Sequence, residues 1–82
     1  MTNHEFERVA PVIDMAQKLH TSLHIKLTDN GVEPIDALIA SLYATHRLAS
    51  VLHGNPVAAV EWMRDALDTI ERQALASPEA HH

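Results

Sequence analysis
The chain predicts an all-α fold: a three-helix bundle, or a helical hairpin with an extra N-terminal helix. Three features carry that expectation. Apolar residues recur at three- and four-residue spacing along most of the chain. Glycine occurs only at Gly31 and Gly54, each at the end of such a run. Residues 54–56, Gly-Asn-Pro, read in succession as a helix stop, an N-cap and a first-turn proline.

In the first segment, Phe6, Val9, Val12, Ile13, Ala16, Leu19, Leu23 and Leu27 hold helical spacing over about six turns. Pro11 should kink this helix or mark its true start, because it removes one backbone bond and clashes with the preceding turn. Thr21 to Thr28 also fits a strand, with Leu23, Ile25 and Leu27 alternating with His24, Lys26 and Thr28. Helix is preferred, since no other segment offers a partner strand and pairing would have to cross a dimer.

The middle segment, Pro34 to His53, is apolar on two sides. Ile35, Leu38, Ile39, Leu42 and Ala49 cluster on one face, and Ala37, Ala40, Ala44, Leu48 and Val51 lie roughly opposite. Its polar residues form thin edges, Asp36, Arg47 and Ser50 on one and Ser41 and Thr45 on the other. A helix of this kind is expected to be sandwiched, either by its two neighbours or by one neighbour and a second chain. The alanine-rich face would admit another helix at close range, which makes Ala40, Ala44, Leu48 and Val51 an expected interface; Tyr43 and the border residue Trp62 join it as aromatics that anchor a partner, or else complete the domain's own core.

The third segment, Pro56 to Ala76, is amphipathic. Ala59, Val60, Met63, Ala66, Leu67, Ile70 and Ala74 form one stripe, with Glu61, Arg64, Asp65, Asp68, Glu71 and Arg72 opposite. Asp68 and Arg72 are spaced for attraction, Glu61 and Asp65 for repulsion. Ser77 to His82 reads as a flexible tail, leaving one small domain over 1–82 with an ordered core of about 5–76.

Eighty-two residues make a small core that usually needs a disulfide, a metal or a partner chain. The absence of cysteine removes the first and every thiolate site, and suits a reducing cytoplasm. A homodimer is therefore expected, the commonest closed symmetry. Six cations against eleven anions, with no basic stripe, argue against nucleic acid. No apolar run reaches the ~20 residues that span a bilayer, and residues 1–5 show no basic stretch followed by an apolar one, so no secretory signal is expected.

Seven histidines are the compositional anomaly. His46 and His53, seven apart, fall in the Ile35–Ile39–Leu42 face. His20 falls among Val9, Ala16, Leu23 and Leu27, with His24 one turn on at the edge of that stripe. The His-x3-His pair of His20 and His24 has the spacing zinc or another divalent transition metal takes, and His46 is the candidate third ligand. The alternative places these imidazoles in the core or an interface, each bonded to a carbonyl or side chain. Imidazoles buried neutral in an apolar face would make stability or oligomer affinity fall as pH drops through about 6. His4 would become the third residue if Met1 were removed, an arrangement that chelates copper. His81 and His82 read equally as native residues or a tag remnant.

Catalytic chemistry is not legible. Cysteine nucleophiles, a glycine-rich phosphate loop and a His-Glu-x-x-His helix are all missing. Ser50 and His53 lie one turn apart, but no orienting acid or oxyanion hole accompanies them. The expected function is a non-enzymatic interaction or regulatory protein, a homodimer that binds another protein. Two alternatives stand beside it: a histidine-based metal-binding or pH-responsive protein, and a small-ligand binder or enzyme with a His-lined pocket at the dimer seam.

Overall fold
The computed structural model describes residues 3–77, and these form three helices: α1 (Asn3–Asp29), α2 (Pro34–His53) and α3 (Pro56–Ala76). The fold is all-α, and no strand occurs among the described residues. His81, His82 and all of the expected tail beyond Ser77 lie outside them. No helix of the described residues is long and apolar enough to cross a membrane.

α1 resolves both ambiguities of the first segment. It runs unbroken through Pro11, so the expected start there is corrected. Proline removes the donor that would bond the Glu7 carbonyl, and Glu7 is exposed, where water can take that bond. Residues 21–28 are helical, not extended. The β-branched threonines are accommodated by hydroxyls that bond back to the helix: Thr21 Oγ1 donates to the Gln17 carbonyl at 2.9 Å and Thr28 Oγ1 to that of Ile25 at 3.0 Å.

The helix ends follow from local chemistry. Gly31 adopts φ 90°, and the amides of Gly31 and Val32 return to the Thr28 and Leu27 carbonyls, both at 3.0 Å. This paired closure uses glycine's left-handed freedom to satisfy two terminal carbonyls. Gly54, at φ 71°, ends α2. Asn55 then caps α3, its Oδ1 accepting from the amides of Val57 at 2.7 Å and Ala58 at 3.1 Å, with Pro56 in the first turn. Ser77 closes α3 in extended backbone, as the residue before a proline prefers. Replacing Asn55 by alanine is expected to cost about 1 kcal/mol, roughly 4–8 °C in melting temperature, while aspartate retains the cap. Thermal unfolding followed by circular dichroism checks this.

The chain divides into two compact units, Met1–Ala44 and Thr45–His82, with the boundary inside α2. The first unit buries Ala37, with Val9, Ile13, Leu27 and Ser41 half-buried. The second buries Ala49, Ala59 and Thr69, with Met63 and Ala66 half-buried. The Thr69 hydroxyl is satisfied by donating to the Asp65 carbonyl at 3.2 Å and accepting from Arg72 at 3.3 Å. Arg72 thus bonds Thr69 rather than the expected Asp68.

These buried side chains are small, and no large side chain is fully buried. The expectation of a middle helix covered on two faces by its own chain is corrected: of α2, only Ala37 and Ala49 are buried, and Ile35, Leu38, Ile39 and Leu42 are exposed. Small side chains let helices approach closely, so the contacts form at alanines and leave the branched residues outside. The α3 stripe is likewise only half used, Ala59, Met63 and Ala66 turning inward while Leu67 and Ile70 remain exposed.

Candidate functional site
Two polar clusters form, one in each unit. In the first, the turn-to-turn spacing of α1 stacks His20 and His24 with ring centroids 6.3 Å apart, inclined by 33°. Nε2 of His24 lies 2.9 Å from Ser41 Oγ on α2. The three residues line an open cleft of about 550 Å³, whose remaining walls include Thr21, Ile25 and Leu38. His20 is exposed and His24 half-buried.

In the second unit, His46 Nε2 lies 3.0 Å from the Pro56 carbonyl. A carbonyl only accepts, so Nε2 carries the proton and donates. Ser50 Oγ, 3.4 Å from the same nitrogen, donates to the His46 carbonyl at 2.7 Å. The imidazole thereby ties α2 to the first turn of α3. His53 sits instead against Trp62, ring centroids 5.6 Å apart, beside a smaller cleft of about 170 Å³ also lined by Leu48 and Leu52.

His20 and His24 lie one turn apart on one side of α1, the spacing legible in the sequence. His46 does not complete a triad: among the described residues, no group of three or more His, Asp or Glu is placed to hold a metal. Its ring nitrogen is turned to a backbone carbonyl, a partner that leaves no mark in a sequence. The Ser50–His53 contact is replaced by Ser50–His46, because a helical serine reaches the carbonyl four residues back. The alternative of imidazoles bonded to a carbonyl or side chain describes His46, on the Pro56 carbonyl, and His24, on Ser41, both half-buried rather than in the core, while His20 and His53 are exposed. Ser41 was missed as a site residue. Its place on a thin polar edge of α2 was legible, but not that this edge meets α1.

All six expected interface residues, Ala40, Tyr43, Ala44, Leu48, Val51 and Trp62, are exposed. Tyr43 is 74% and Val51 76% accessible. Comparison with known proteins finds no matching family model, curated relative or solved structure.

Proposed function
We propose that the chain is a non-enzymatic helical interaction module, acting in the cytoplasm as a homodimer that binds another protein. One observation carries this reading: the bulky apolar residues lie outside and the small ones inside. The described residues bury three alanines and a threonine, while Leu48, Val51 and Leu52 are 67%, 76% and 84% accessible. At ~25 cal/mol per Å² of apolar surface, removing these side chains from water supplies stability that three alanines do not.

Tyr43 and Trp62 suit the role of anchors for the further protein, since aromatics dominate the energetics of protein recognition. Light scattering on the eluting chain tests self-association, with a mass twice 9.1 kDa expected at micromolar concentration. A folded monomer at every concentration would remove the homodimer.

A further inference from the structure
We propose that His20 and His24 chelate one divalent transition-metal ion, of which zinc is the natural probe, at the mouth of the first-unit cleft, with Ser41 orienting His24. The inference is independent of self-association and adds an ion-binding site to the interaction module.

Two imidazoles on one tetrahedral ion, each ~2.0–2.1 Å from it, hold their ring centroids about 5 Å apart. His20 and His24 stand at 6.3 Å without an ion. Closing the difference of about 1 Å takes a side-chain rotation, and His20 is exposed. Both ligands leave from adjacent turns of one continuous helix, so the backbone that positions them is already ordered. Chelation therefore carries little of the ordering cost a loop site would meet.

The Ser41 contact has the form of a metal ligand's outer support. Histidine ligands commonly engage their second ring nitrogen with a polar neighbour, which fixes tautomer and orientation. With His24 Nε2 held 2.9 Å from Ser41 Oγ, Nδ1 remains as that ring's coordinating nitrogen. Two protein ligands leave about two positions on a tetrahedral ion open, facing the cleft of about 550 Å³. Water fills them, or an anionic oxygen of a small ligand displaces it. Neutral nitrogen donors suit zinc, copper and nickel over magnesium and calcium, which prefer oxygen.

Zinc chloride titrated into the full chain, followed through the imidazole signals in proton–nitrogen spectra, is the test. Zinc also avoids the N-terminal His4 arrangement that favours copper. The His20 and His24 signals are expected to move together with one midpoint, and His46 and His53 to stay. His20→Ala and His24→Gln are each expected to raise that midpoint about tenfold, and His46→Ala to leave it unchanged. Glutamine at 24 keeps a polar group for Ser41, and unchanged far-UV dichroism confirms that either variant is folded. The proposal is overturned if the two signals do not move, if either variant raises the midpoint less than threefold, or if His46→Ala raises it as much.

Discussion
Replacing Leu48 and Val51 together by glutamate is expected to leave the chain monomeric and mostly unfolded. In a homodimer that covers this face of α2, each substitution forfeits about 1.5–3 kcal/mol of apolar burial. Each also places a carboxylate where water is excluded, at a further cost. A loss of at least ~4 kcal/mol weakens association by about a thousandfold. The contrast with an isolated folded chain is sharp. There the two positions are 67% and 76% accessible, and exposed substitutions usually fall within about 0.5 kcal/mol of neutral. Light scattering and a thermal melt on the double variant separate the cases. Wild-type mass and melting temperature would place the interface elsewhere.

Pro11→Ala should act in the opposite direction. Proline in a helix interior costs about 3 kcal/mol relative to alanine, and Pro11 lies well inside α1. Alanine restores the donor for the Glu7 carbonyl and removes the ring that crowds it. Part of the gain is lost because the turns preceding Pro11 fray on their own, so about 1–3 kcal/mol is expected. In a domain of this size that is a rise of at least about 4 °C in melting temperature, with more helical dichroism. A fall in melting temperature would mean that Pro11 fits its surroundings better than the helix ladder implies.

Helix ends were legible in the sequence because they are written in single residues. Gly31 and Gly54 supply positive φ, Asn55 supplies a cap, and Pro34 and Pro56 supply starts, each acting within a few residues of itself. Which face each helix covers was not legible. The Ile35–Leu42 and Ala37–Val51 faces of α2 are both apolar, and hydrophobicity alone does not say that contact forms at alanine. The site divided in the same way. His20 and His24 share a helix, so their spacing determined their pairing. Ser41 and the Pro56 carbonyl join their histidines across helix–helix contacts, where no local rule reaches.

The pairing of His53 with Trp62 has a practical consequence. The chain has one tryptophan and one tyrosine, and they fall in different units, Trp62 in Thr45–His82 and Tyr43 in Met1–Ala44. Each half of the molecule therefore carries its own optical label without any engineering. Indole emission, from a ring whose centroid lies 5.6 Å from that of the His53 imidazole, reports on the second unit.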